Sequence, residues 1–135
     1  MSEENVQVIE RAYQAWHRAG LDAFMEYWAE DTRWRSIQGA PDDRGPMHGR
    51  AVVRAFIEDW LDTFDDFRVE LVELIDAGDQ QVVATLSYSG RTKHGEVKVP
   101  GIPFAAAFVV TDGRIVDGGE YETLEEALQA AGLRD

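Results

Sequence analysis

The strongest candidate for chemistry is a single carboxylate in the segment GRIVDGGEYE, residues Gly113–Glu122. The preceding Asp112 and Gly113 are typical of a hairpin turn, because glycine tolerates the positive φ that such turns need. Side chains alternate between the faces of a strand. One face is therefore expected to carry Val116, Gly118, Glu120 and Glu122, and the other Ile115, Asp117, Gly119 and Tyr121. If helices cover the first face, Glu120 lies at the bottom of an apolar cup.

Glu120 is the candidate catalytic residue, because an apolar environment favours the neutral form of a carboxyl group. A raised pKa would let this side chain accept and donate a proton near neutral pH. The alternative is a structural carboxylate that bonds to a helix amide or to an arginine. Gly118 lies on the same face, where it either widens the cup for a ligand or marks a β-bulge.

Aromatic residues are expected to form much of the wall of this cup. The candidate substrate-binding residues are Tyr13, Trp16, Trp28, Trp34, Ser36, His48, Phe56, Trp60, Phe64, Leu86, Tyr88, Phe104, Ala106, Phe108 and Gly118. Among these, Trp34, Trp60 and Phe104 are favoured for direct contact with a ligand. Tyr13, Tyr88 and Ser36 add hydrogen-bond donors. The same aromatic residues are also what the core of any small domain would contain.

The histidines do not indicate a metal site, because no two of them have the spacing of metal ligands. No metal and no organic cofactor is therefore predicted. His48 and His94 lie in predicted rim loops, where an imidazole could assist proton transfer or simply be solvated. Arg91, Lys93 and His94 form a small basic group that either guides an anionic substrate or remains in solvent.

The composition predicts one globular domain that spans residues 1–135. The net charge of −13 disfavours nucleic acid and anionic membranes as partners. The sequence contains no cysteine, no apolar run long enough to cross a membrane, and no secretory signal in its first residues. A cytoplasmic location is expected.

The hydrophobic pattern predicts three helices followed by a sheet and a short final helix, which is an α+β order. The first helix is expected to start at a cap on Ser2 and to end at Ala19-Gly20, the second to run over about Asp22–Ala29, and the third to start at Gly49. A strand is expected at Thr32–Ile37 and a loop at Gln38–His48. The later strands are expected at Phe67–Ile75, Gln81–Arg91, Phe104–Val110 and Gly113–Glu122, with a polar excursion over Lys93–Gly101. Thr123 and Glu126 form a capping box that starts the last helix.

Three segments carry a resemblance to a known superfamily. The segment VIERAYQAWHRAGLDAFMEYWAEDTRWRS resembles the opening of the NTF2-like superfamily, and HGRAVVRAFIEDW is similar to its third helix. The ending DGRIVDGGEYETLEEALQAAGL resembles the SnoaL-like branch, which includes polyketide cyclases. The resemblance implies a conical barrel in which three N-terminal helices pack on a strongly curved antiparallel or mixed sheet.

The resemblance also implies a chemistry for Glu120. SnoaL-like cyclases often carry an acid/base Asp at the position of Glu120 and a histidine on the preceding strand, where this chain has Ala106. The acids and the tyrosine of ketosteroid isomerases would fall on Ser36, Ala106 and Ala12, which argues against that reaction. The leading hypothesis is a cofactor-free isomerase, cyclase or dehydratase that acts on a small hydrophobic carbonyl or hydroxy compound.

Two alternatives remain open, namely a non-catalytic protein that binds a small hydrophobic ligand and a dimerising module with a filled interior. The outward face of the sheet is predicted to carry Thr85, Ser87, Ile115 and Tyr121. This face is neither charged nor strongly apolar, and family members commonly pair through it, so a homodimer is expected.

Overall fold

The computed structural model describes residues 2–92 and 98–132, which form helices on both faces of an antiparallel sheet. The elements are α1 (Ser2–Ala19), α2 (Leu21–Met25), β1 (Arg33–Trp34), β2 (Met47–His48), α3 (Arg50–Thr63), β3 (Phe64–Gly78), β4 (Gln81–Thr92), β5 (Lys98–Thr111), β6 (Arg114–Tyr121) and α4 (Leu124–Ala130). Strands β3 to β6 pair in chain order, and β1 pairs with β2 in a separate antiparallel ribbon. The predicted α+β order, with three helices before the sheet and one after it, is confirmed.

The main core lies between the three N-terminal helices and the face of the sheet that we call the inner face. Val82, Ala84 and Leu86 of β4 point into this core, as do Phe108 and Val110 of β5. Each of these residues follows its neighbour by two positions, as expected for a strand with one buried face. The predicted alternation along β4 and β5 is therefore confirmed.

The outer face of the sheet is partly covered by α4. Val83, Ala105 and Ala107 form a second apolar cluster with Ala127 and Ala131 of the helix. Small side chains on both surfaces allow the helix to lie close to the strands.

The predicted capping box at the start of α4 is present. The Thr123 hydroxyl accepts a hydrogen bond from the Glu126 amide at 3.2 Å, and the Glu126 carboxylate accepts one from the Thr123 amide at 3.2 Å. These reciprocal bonds satisfy two backbone donors that the first turn of a helix leaves unpaired.

A β-bulge in β6 places Ile115 on the opposite face of the sheet from the one predicted. Val109 pairs with Asp117, but the next residue, Val110, pairs with Ile115, so that Val116 is an extra residue in β6. The extra residue reverses the alternation on its N-terminal side. Ile115 is therefore fully buried in the main core, and its predicted place on the outer face is wrong.

The second helix is shorter than predicted because the backbone that follows this helix forms hydrogen bonds with β6. The helix ends at Met25 instead of Ala29. The Ile115 amide donates to the Tyr27 carbonyl at 2.8 Å, and the Ala29 amide donates to the Ile115 carbonyl at 2.9 Å. These bonds hold Trp28 beside β6.

Two predicted loop and strand boundaries also differ from the structure. Only Arg33 and Trp34 of the predicted strand Thr32–Ile37 are in β1, and the predicted loop Gln38–His48 ends in β2, whose Met47 pairs with Trp34. Lys98–Gly101, predicted as part of a polar excursion, belongs to β5. Prolines are tolerated there because β6 does not extend alongside this end of β5. Lys93–Val97 lie outside the described residues.

Gly118 provides the surface on which the Trp34 ring lies. A Cβ atom at Gly118 would meet the Ala107 carbonyl oxygen, and it would lie 2.6 Å from Cζ3 of Trp34. The φ of Gly118 is +149°, a backbone conformation that other residues rarely adopt. The glycine therefore does not widen the cup, because the Trp34 ring occupies the space beside Gly118. Gly118 does not form the bulge either, since the bulge lies at Val116.

We expect the substitution Gly118→Ala to destabilise the protein by roughly 2–4 kcal/mol, since it combines overpacking with backbone strain. Urea denaturation measures this loss. The matched control is Gly119→Ala, where φ is not positive and the added Cβ would lie 3.2 Å from the nearest atom, the Arg35 carbonyl oxygen. Equal losses in the two variants would show that the Trp34 contact at Gly118 is unimportant.

Candidate functional site

A cavity of about 200 Å³ lies between the N-terminal helices, the loop after β1 and the inner face of the sheet. It is lined by Tyr13, Trp16, Phe24, Trp28, Trp34, Ile37, Ala40, Pro41, Asp42, Phe56, Ile57, Trp60, Phe67, Val69, Tyr88, Phe104, Ala106 and Glu120. Sites for drug-sized ligands are usually larger, from about 300 Å³ upwards, whereas a cavity of about 150 Å³ already accepts benzene. The volume therefore suits a ligand not much larger than one substituted ring.

The main chain of Glu120 is held by β5 and by the residue after β1, and its carboxylate is held by one indole. Glu120 pairs with Ala106 of β5, and its amide donates to the Arg35 carbonyl at 2.8 Å. Nε1 of Trp34 donates to Oε2 of Glu120 at 3.1 Å. One carboxylate oxygen is thus fixed, and no described residue donates a hydrogen bond to the other.

The ring of Trp34 is itself fixed by aromatic neighbours. It lies edge-on to Trp28, with 5.0 Å between ring centroids, and is stacked on Phe108 at 5.2 Å. Trp34 is 5% exposed and rests against Gly118 on the strand that carries Glu120. These contacts position the indole N–H that holds the Glu120 carboxylate.

Burial raises the pKa of Glu120 from 4.5 to about 7. The Trp34 hydrogen bond favours the ionised form and lowers the pKa, while the negative charge of Asp42 raises it. The residue keeps a partly accessible surface because the cavity reaches it. At neutral pH the carboxyl group therefore exists in both protonation states, as an acid/base residue requires.

Tyr13 and Trp28 are two further residues with polar groups that line the cavity with Glu120. Burial, followed by the charge of Glu120, raises the pKa of Tyr13 far above its usual range, so that its hydroxyl stays protonated. The buried Nε1 of Trp28 has no hydrogen-bond partner among residues 2–92 and 98–132. The Tyr13 hydroxyl can donate a hydrogen bond to an oxygen atom of a ligand.

Asp42 is a second carboxylate of the cavity, and sequence reasoning did not find it. Its Oδ2 accepts a hydrogen bond from Nε1 of Trp60 at 3.0 Å. The residue lies in the predicted rim loop Gln38–His48, and only the presence of an acid in that loop could have pointed to it. Nothing in the local sequence predicts that the loop folds over α3 and turns this acid inwards.

Asp43 joins the loop to Arg35, the residue that follows β1. The Asp43 carboxylate accepts hydrogen bonds from the amide of Gly39 at 2.9 Å, from Nη2 of Arg35 at 3.1 Å and from the amide of Gly45 at 2.9 Å. These bonds, in that order, lower the pKa of Asp43 to about 2. The ionised Asp43 therefore fixes the conformation of the loop at all ordinary pH values.

Arg44 joins the loop to α3. The Arg44 guanidinium pairs with Asp59 and lies 5.2 Å from the centroid of the Phe56 ring. With the Trp60–Asp42 hydrogen bond, these contacts hold Asp42 over the cavity.

The structure brings many of the predicted site residues together and leaves others outside. Tyr13, Trp16, Trp28, Trp34, Phe56, Trp60, Tyr88, Phe104, Ala106 and Glu120 line the cavity. The lining residues that sequence reasoning missed are Phe24, Ile37, Ala40, Pro41, Asp42, Ile57, Phe67 and Val69. The helix pattern placed Phe24 and Ile57 on apolar faces, but it could not show that these faces border an empty space.

Six predicted lining residues do not reach the cavity. Leu86 and Phe108 are enclosed in the core, and Phe64 lies behind Trp60, with 5.5 Å between the stacked rings. Ser36 is 1% exposed and has no hydrogen-bond partner among the described residues, and His48 is exposed in β2. Gly118 is covered by Trp34.

The basic residues considered for substrate guidance do not line the cavity where they are described. Arg91 is exposed on β4, and Lys93 and His94 lie outside the described residues. Nε2 of His17 donates to the Val69 carbonyl at 2.7 Å and so joins α1 to β3. Within residues 2–92 and 98–132, no three His, Asp or Glu side chains are grouped as metal ligands. None of the described helices has the length and apolarity needed to cross a membrane.

The chain resembles known proteins in sequence pattern and in fold. The family model of the SnoaL-like domain matches residues 9–118. Among solved structures, Bal32a from a soil-derived mobile gene cassette superposes with a TM-score of 0.76 at 19% identity over 88% of each chain. An NTF2-like protein of unknown function from Burkholderia pseudomallei gives a TM-score of 0.74 at 23% identity over 93% of this chain and 95% of that one.

A third solved structure, a proposed polyketide cyclase from Xanthomonas campestris, gives a TM-score of 0.68 at 24% identity. It covers 96% of this chain and 97% of that one. A search of curated proteins finds no match. At these identities the structural likeness shows the NTF2-like fold and not a particular activity.

The raised pKa of Glu120 predicts how stability depends on pH. Between pH 4.5 and about 7 the folded state binds this proton and the unfolded chain does not. The free energy of unfolding should therefore fall as pH rises through this window, with a contribution from Glu120 of up to roughly 3 kcal/mol. Urea denaturation at several pH values should show that Glu120→Gln lacks this part of the slope.

The control for this measurement is Glu122→Gln, which removes an exposed carboxylate two residues along the chain. That variant should keep the slope of the native protein. A stability difference between the native protein and Glu120→Gln that stays constant with pH would contradict the assignment.

Proposed function

The chain belongs to the SnoaL-like domain family, and we propose that it is a small-molecule enzyme in which Glu120 transfers a proton. The reaction is an isomerisation, cyclisation or dehydration of a small, largely hydrophobic carbonyl or hydroxy compound, without a metal or an organic cofactor. One observation carries this proposal: a carboxyl group with a pKa of about 7 faces a cavity of about 200 Å³ lined by aromatic rings.

The hydrogen bonds of the site give the two carboxylate oxygens of Glu120 different roles in such a reaction. Trp34 holds Oε2 of Glu120, which leaves Oε1 to take a proton from the carbon next to a carbonyl group. As this C–H bond breaks, negative charge develops on the carbonyl oxygen, which can accept a hydrogen bond from the Tyr13 hydroxyl. The protonated Glu120 then returns the proton to another carbon, or to a leaving hydroxyl group.

The second candidate is a binding protein with the same cavity and no chemistry. It is favoured by Ala106, which stands opposite Glu120 on β5 where SnoaL-like cyclases are expected to carry a histidine. This candidate predicts that ligands bind equally well to Glu120→Gln and are recovered unaltered. The third hypothesis, a module with a filled interior, is disfavoured by the cavity itself.

Proton exchange on a simple ketone tests the catalytic proposal without knowledge of the natural substrate. With 2-indanone in deuterated water, the native protein should accelerate loss of the methylene signals in proton NMR spectra. Glu120→Gln should lower the protein-dependent rate by roughly 100-fold or more, because positioned acid/base groups contribute about that much.

The exposed Glu122→Gln variant is the matched control and should exchange at the native rate. An unchanged rate in Glu120→Gln would remove Glu120 from the mechanism. Binding of 2-indanone without any exchange by the native protein would favour the binding protein instead.

The homodimer is also part of this proposal. Thr85 and Ser87 lie on the outer face of the sheet beside the area covered by α4, as predicted. Ile115 does not contribute because the bulge buries it, and Tyr121 packs against the α4 cluster. A second copy of the chain would cover the remaining part of this face. The cytoplasmic location stays a prediction.

Light scattering at micromolar concentration should give twice the chain mass of 15.2 kDa. The substitution Thr85→Arg should reduce the mass to that of a single chain, because it places a charge in the middle of the contact. A single-chain mass for the native protein would contradict the homodimer.

A further inference from the structure

The cavity contains negative charge that no described cation neutralises. Both ionisable acids of its lining, Asp42 and Glu120, accept a hydrogen bond from an indole instead of forming an ion pair. None of the described lining residues is Lys, Arg or His. The arginines near the loop are engaged elsewhere, since Arg35 pairs with Asp43 and Arg44 with Asp59.

Aromatic rings surround the Asp42 end of the cavity. Trp60, which holds Asp42, has its ring centroid 5.8 Å from that of Phe67 and 5.6 Å from that of Tyr88. Tyr88 in turn lies 5.9 Å from Phe104. These four residues, which we call the aromatic cluster, all line the cavity. The faces of aromatic rings attract cations, and most strongly where water is excluded.

Asp42 is set apart from an ordinary surface acid by its surroundings. Its carboxylate is only partly exposed and contacts the aromatic cluster through Trp60. Trp60 occupies one oxygen, and within the described residues the other oxygen has no recorded donor. A neutral ligand would gain nothing from this charge, and an anionic ligand would be repelled by it.

We infer that the ligand of this cavity is an organic cation, a protonated amine or a quaternary ammonium compound, whose charge lies between Asp42 and the aromatic cluster. This inference rests on the proposed function, because it takes the cavity as the ligand site. It refines the substrate to a molecule with a cationic group at the Asp42 end and a carbonyl or hydroxyl group near Glu120.

Two probes of the same shape test the inference. Phenyltrimethylammonium and tert-butylbenzene differ in one atom, nitrogen against carbon, and therefore in charge alone. Both are single substituted rings and suit a cavity of about 200 Å³. Binding is followed by tryptophan fluorescence, since four tryptophans line the cavity. The cation should bind at least tenfold more tightly than the neutral probe.

The variant Asp42→Asn removes the charge and keeps an oxygen to accept the Trp60 hydrogen bond. It should weaken binding of the cation about tenfold and leave binding of tert-butylbenzene unchanged, which also shows that the cavity is intact. The matched control is Asp31→Asn, which removes an equal charge at an exposed position outside the cavity. This control should bind both probes as the native protein does.

The outcomes separate this inference from the function on which it rests. If tert-butylbenzene binds as tightly as the cation, or if Asp42→Asn leaves the affinity for the cation unchanged, the cationic ligand is overturned and the cavity remains a ligand site. If neither probe binds, the inference fails together with the proposed ligand site.

Discussion

The burial of the Glu120 carboxyl group is the constraint on which the rest of the site depends. An ionised carboxylate in an apolar environment is costly unless it is well bonded, and Glu120 has one recorded hydrogen bond, from Trp34. The Glu120 carboxyl group avoids this cost by binding a proton more tightly, so that its pKa is raised to about 7. The glycine at 118 belongs to the same arrangement, because a side chain there would collide with the Trp34 ring.

The regular parts of this fold could be predicted from local pattern, because one period sets which residues are buried. The two-residue alternation of Val82, Ala84 and Leu86 identifies the inner face of β4 without any knowledge of its neighbours. The same reasoning placed Glu120 on the inner face. It failed for Ile115 because the bulge at Val116 depends on the pairing with β5, and an apolar residue at 116 carries no local sign of it.

The cavity itself was harder to predict than the face on which Glu120 lies. An apolar stripe such as that of α3 shows which side of a helix is covered, but not whether the covering is tight. Leu86 and Phe108 became core, while Trp60 and Tyr88 border the empty space. Asp42 reaches the cavity only through contacts between the loop and distant elements, of which the Trp60 hydrogen bond spans 18 positions of sequence. Such contacts have no period and no local signature.

The two acids of the cavity, Asp42 and Glu120, are held in the same way. Each is held by an indole N–H, Glu120 by Trp34 and Asp42 by Trp60, and neither is paired with a described cation. An indole orients a carboxylate without neutralising it and lowers its pKa only through the hydrogen bond, whereas an arginine would also lower the pKa through its charge. Burial is the main cause of the raised pKa of Glu120, and the negative charge of Asp42 adds to it. The Asp42 carboxylate has no partner cation among the described residues, so a cationic ligand could compensate its charge.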